Sequence, residues 1–150
     1  MTRTTGDLLP AVRGGLLGLL LGDAVGATGG TPTAHGTLRA TCAGQLACCT
    51  VEGLIRAHVR DLQRGICHPP SVVWNAYRRW AAAQGISGTQ QPGLPEPDGW
   101  LAQVSLLGQR RGDAPATVRA LRERVMGTVD SPVGPSIGAH GLTRSLPAWV

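Results

Sequence analysis

The sequence predicts an all-α fold, and three observations carry that prediction. Apolar residues recur at three- and four-residue steps along most of the chain. Glycine, proline and aspartate stand where helices would start and stop. No hairpin dipeptide separates alternating apolar runs, and strands do not alternate with helices.

The first element centres on VRGGLLGLLLGDAVGA, Val12 to Ala27, with glycines at 14, 18, 22 and 26. Residues four apart share one helix face, so these glycines form a slowly drifting stripe without side chains. Each interior glycine costs about 1 kcal/mol relative to alanine. Four of them imply a compensating close contact, and the reading is a buried central helix with Gly18 and Gly22 against another backbone. A membrane span needs about 18 apolar residues, and the uninterrupted run from Gly14 to Gly22 is half of that. Arg13 and AVGA resemble parts of a cleaved signal, but Asp7, Asp23 and the glycine spacing argue against one. No membrane partner is expected.

Ala27–Thr37, rich in Gly, Thr and Pro, reads as a loop. A second helix is expected from about Gly44 to Arg64, with Cys48, Val51, Ile55, Val59 and Leu62 as its apolar face. Glu52, Arg56, Arg60 and Arg64 form its polar row, with Glu52 and Arg56 in ion-pair order, and Gly65 stops it. Pro69-Pro70 open a third helix with Val73, Tyr77 and Trp80 inward and Gly85 at its end. Residues 86–97 form a second long loop. Asp98 caps a short helix to about Leu107, and Asp113 caps APATVRALRERVM, with Pro115 in its first turn and Gly127 at its end. VDSPVGPS is loop, and IGAHGLTRSLPAWV begins a last helix that Pro147 interrupts or ends.

A chain of 150 residues is one domain or a piece of a larger one. Its core must come from Leu, Val and Ala, because there is no Phe and only one Tyr. The net charge of +5 comes from arginine alone, spread over several helices with no run longer than two. That is a solvated basic surface, and no nucleic-acid partner is expected. The cysteines at 42, 48, 49 and 67 lack the spacing of a secreted disulfide framework, so reduced thiols and a cytoplasmic location are expected. Together with His35 and His68 they also lack the C-x₂-C spacing of structural zinc sites. Cys42 at a helix start is the one candidate nucleophile, because a helix N-terminus lowers a thiol pKa.

Three segments, in order, resemble the ADP-ribosylglycohydrolase family. The first helix is similar to its opening R-x-x-G-x-x-x-G-x-x-x-G-D-A-x-G through Gly18, Gly22, Asp23, Ala24 and Gly26, and through Arg13 at a slightly shorter offset. TCAGQLACCTVEGLIRA, Thr41–Ala57, resembles the helix that the family begins with T-D-D-T. SIGAHGLTRSLP resembles a glycine-rich segment ending M-R-x-x-P, through Gly138, Arg144 and Pro147, with Thr143 in place of Met.

The resemblance implies an all-α hydrolase that cleaves the glycosidic bond to ADP-ribose with two magnesium ions. The T-D-D-T carboxylates and a later acidic cluster would hold the metals. Here Cys42 and Ala43 stand for the two aspartates and Gly44 for the second Thr. No Asp or Glu lies between Asp23 and Glu52, and the second acidic cluster has no counterpart. Magnesium wants hard oxygen ligands, and a thiol or methyl cannot supply them. The expectation is therefore the amino-terminal half of that fold, residues 1–150, without catalytic residues, metal ligands or a cofactor. Asp23, Thr41 and Arg144 are the candidate ligand-binding residues by family position. ADP-ribose, another nucleotide or a protein is the candidate partner. Asp23 is also a candidate for capping or pairing in the core, and Arg144 for pairing with an internal carboxylate or carbonyl.

Overall fold

A computed structural model describes residues 5–30, 37–89 and 99–149. Among them the chain forms six α-helices, two 3₁₀ turns and no strand. The helices are α1 (Thr5–Gly26), α2 (Cys42–Arg64), α3 (Pro69–Ala83), α4 (Ser105–Gly108), α5 (Pro115–Arg122) and α6 (Ala139–Ser145). The 3₁₀ turns are Trp100–Gln103 and Leu146–Trp149. Asp98 and most of the expected loop at 86–97 lie outside the described residues.

The core lies where α2, α3 and α5 meet. Leu46 and Cys49 of α2 pack with Ala76, Trp80 and Ala81 of α3 and with Ala114, Val118 and Leu121, while Tyr77 and Leu101 close its edge. The ends of α2 follow from local chemistry. Thr41 is its N-cap, with the hydroxyl accepting from Ala43 N at 3.1 Å. Gly65, in the left-handed region at φ 68°, ends it and donates its N–H to the Asp61 carbonyl. Pro69 and Pro70 start α3 as expected, and Gln84 and Gly85 end it.

The structure corrects four expectations. The first is the burial of α1. Between residues 9 and 26 only Ala24 is fully buried, and Leu17 and Leu21 are 67% and 55% exposed. Among the described residues, a Cβ added at Gly14, Gly18, Gly22 or Gly26 would meet nothing within 4 Å. The stripe faces open space, because α1 meets α2 only near its own C-terminal end, around Leu20 and Asp23. Leu9–Gly26, with mean hydropathy 1.3, is long and apolar enough by composition alone to cross a bilayer, so the short uninterrupted run does not by itself exclude that.

The close approaches are made instead by glycines of α2, to the α3 backbone at Gly53 and to α1 side chains at Gly44. A Cβ at Gly53 would lie 2.8 Å from Val73 Cα, and one at Gly44 would lie 2.7 Å from Asp23 Oδ2 and 3.0 Å from Leu20 Cδ2.

The second correction is the phase of α2. Ile55, Val59 and Leu62 of the expected apolar face are exposed. The buried face carries Leu46, Cys49, Gly53 and Ala57, and also Glu52. Glu52 leaves the expected polar row and meets Arg79 of α3 at 3.3 Å. The third concerns α5, which starts after Ala114 in the left-handed region (φ 39°) and stops at Arg122, short of Gly127, with Arg124 at φ 58°. Asp113 caps nothing there and pairs with Arg110 at 2.8 Å. The fourth is the helix expected to run to Leu107, which is a 3₁₀ turn followed by the single turn of α4.

Candidate functional site

The first turn of α2 and the last turn of α1 meet around one carboxylate. Asp23 Oδ2 accepts from Thr41 N at 2.6 Å and from Gly44 N at 3.1 Å. Asp23 Oδ1 accepts from the Thr41 hydroxyl at 2.7 Å. A helix leaves its first amides without internal partners, and its dipole favours an anion there. Asp23 and Thr41 together fill that role. Cys42 N donates to the Arg111 carbonyl at 3.0 Å, which ties the turn to the segment before α5.

Gln45 anchors the next position. Its amide donates to the Gln109 and Leu106 carbonyls at 2.9 and 3.4 Å and accepts from Trp80 Nε1 at 3.1 Å. A buried amide with all these partners fixes three segments at once.

The structure therefore brings Asp23 and Thr41 together and leaves Arg144 elsewhere. Arg144 lies on α6, where it donates to the Thr117 hydroxyl at 2.5 Å and stacks over the Tyr77 ring at 5.3 Å. Its carbonyl accepts from Thr50, about two and a half turns along α2 from Thr41. Arg144 is paired internally, with a hydroxyl and a ring in place of the expected carboxylate or carbonyl.

The Cys42 thiol is not activated. Burial pushes its pKa up, and the nearby Asp23 charge adds to that against the lowering by the Ala114 backbone. This corrects the expectation that the helix N-terminus lowers it. Cys49 is pushed up to about 12, mainly by burial. In the unfolded chain a thiol ionises near pH 9, whereas Cys49 in the folded chain stays protonated to about pH 12. Stability should therefore fall between those values, by about 1.4 kcal/mol per pH unit. Urea unfolding at pH 8 and pH 10.5 checks this; Cys49→Ala should show a shallower loss, and an equal one would remove Cys49 as its cause.

Sequence reasoning missed two buried charges. Glu52 and Arg78 are each 3% exposed. Arg78 Nε donates to the Thr89 carbonyl, its guanidinium lies over Trp74, and burial lowers its pKa. The Arg78–Trp74 contact is a four-residue step along α3 that the spacing does offer, whereas Glu52–Arg79 and Arg78–Thr89 come from tertiary packing that the spacing does not announce.

The residues at the α2 start do not fit a magnesium pair. Position 42 offers a buried thiol, 43 a methyl and 44 no side chain, and at 44 there is no room for one. Both Asp23 oxygens and the Thr41 hydroxyl are engaged with each other and with backbone N–H groups. Among the described residues no three His, Cys, Asp or Glu side chains stand close enough to hold a metal ion.

The arrangement is an all-α domain whose first two helices join through an aspartate and a threonine N-cap. Residues 4–150 match the family model described as ADP-ribosylglycohydrolase. The chain belongs to the ADP-ribosylglycohydrolase family. No curated protein and no solved structure matched it.

Proposed function

We propose that this chain is a non-hydrolytic member of its family, a cytoplasmic scaffold that has exchanged metal chemistry for binding of a nucleotide or a protein partner. One observation carries the reading. The turn that in the family begins T-D-D-T here reads Thr41, Cys42, Ala43, Gly44, and the remaining carboxylate, Asp23, closes the helix end. Removal of ADP-ribose needs charge stabilisation as the glycosidic bond breaks, and the family supplies it with magnesium. A thiol, a methyl and a capped helix end do not supply it.

Titration calorimetry with Mg²⁺ and a release assay on an ADP-ribosylated protein test this. The parent should show no binding at micromolar Mg²⁺ and no metal-dependent release. Cys42→Asp with Ala43→Asp should raise Mg²⁺ affinity only slightly, because the second acidic cluster has no counterpart in these residues. Micromolar binding or metal-dependent release by the parent would overturn the reading.

A further inference from the structure

Beside the capped turn lies a cavity of about 430 Å³, a volume in the range of small-molecule sites. Its walls are Leu20 of α1, Leu38, Cys48 of α2, and Leu106 and Leu107 of α4. Among the described residues no Asp or Glu lines it, yet Arg39 and Arg111 do. Among the described residues neither guanidinium has an ion pair or a side-chain hydrogen bond. Gln45 also lines the cavity, but its amide is spent on Leu106, Gln109 and Trp80. Among the described residues the cavity therefore offers apolar wall together with two guanidinium groups that have no ion pair. An apolar body gains by leaving water, and a carboxylate gains charge-assisted bonds from a guanidinium's planar donors.

We propose that this cavity binds a small apolar carboxylic acid, its hydrocarbon part against the leucines and its carboxylate held by Arg39 and Arg111. The site stands independently of the lost metal chemistry, and its failure would leave that reading intact.

The experiment is calorimetric titration of the full chain with octanoate, and with octanol as the uncharged match. The parent should bind octanoate at least tenfold more tightly than octanol. Arg39→Ala with Arg111→Ala should weaken octanoate about tenfold and leave octanol unchanged, since a hydrogen bond to a charged group contributes about that much. Cys48→Trp should fill the cavity and abolish binding of both. If that variant does not fold, the arginine pair, which lies at exposed and half-buried positions, decides alone. Equal binding of octanoate and octanol, or undiminished octanoate binding by the arginine variant, would overturn the proposal. So would ADP-ribose displacing octanoate at lower concentration than octanoate itself requires, because the cavity would then be a nucleotide site.

Discussion

Asp23→Ala is expected to lower stability by about 3 kcal/mol, because it removes a charged acceptor from three donors at once. Thr41 N, at the N-cap, and Gly44 N, in the first turn of α2, have no helical partner of their own, so the variant leaves one half-buried and one buried amide unsatisfied. Asp23→Asn should recover little. An amide has one acceptor oxygen, and its NH₂ group would face donors. Thr41→Ala should cost about 1 kcal/mol, the ordinary size of a lost N-cap. Arg60→Ala, on the exposed side of α2, should stay within about 0.5 kcal/mol. Urea midpoints for the four variants rank them. An Asp23→Ala midpoint equal to that of Arg60→Ala would mean that α1 and α2 are held together without this carboxylate.

The parts of the fold that were legible in the sequence are those set by neighbouring residues. Gly65 as a left-handed stop, the proline pair at the start of α3 and the helical class itself need only local chemistry. Asp23 and Thr41 were legible as a family position, and capping was one of the roles open to Asp23. That the two meet is tertiary information, since they are 18 residues apart.

The phase of α2 was misread for a physical reason. Its two candidate stripes both step by three and four. One has Val51, Ile55, Val59 and Leu62, and the other Leu46, Cys49, Gly53 and Ala57. Hydrophobicity favours the stripe with larger side chains. The structure buries the smaller one, because α3 comes so close at Val73 that only small residues fit beneath it. The same confusion placed the backbone contact on α1. A row of glycines says that a close approach is sterically open, and it says nothing about which neighbour makes it. The early end of α5 was equally hidden, because Ala114 and Arg124 take left-handed conformations that their residue types seldom announce.

The contact at Gly53 carries the last expected result. Gly53→Ala should destabilise the chain by about 2 kcal/mol, and Gly53→Leu should prevent folding. An added Cβ would stand 2.8 Å from Val73 Cα, 3.0 Å from its Cγ2 and 3.3 Å from its Cβ. The first of these is backbone, so relief requires α3 to move away from α2 as a unit. That movement would loosen Cys49 from Ala76 and Trp80 in the same core. Overpacking of this kind typically costs about 1–3 kcal/mol, and a leucine adds three more carbons with nowhere to go. Gly18→Ala is the matched control. Its Cβ meets nothing, and alanine is the better helix former by about 0.8–1.0 kcal/mol, so that variant should be slightly more stable than the parent. Thermal unfolding followed by circular dichroism at 222 nm compares the three. A Gly53→Ala midpoint at or above the parent's would show that α2 and α3 do not pack through this glycine. A Gly18→Ala midpoint several degrees below it would put the close contact back on α1.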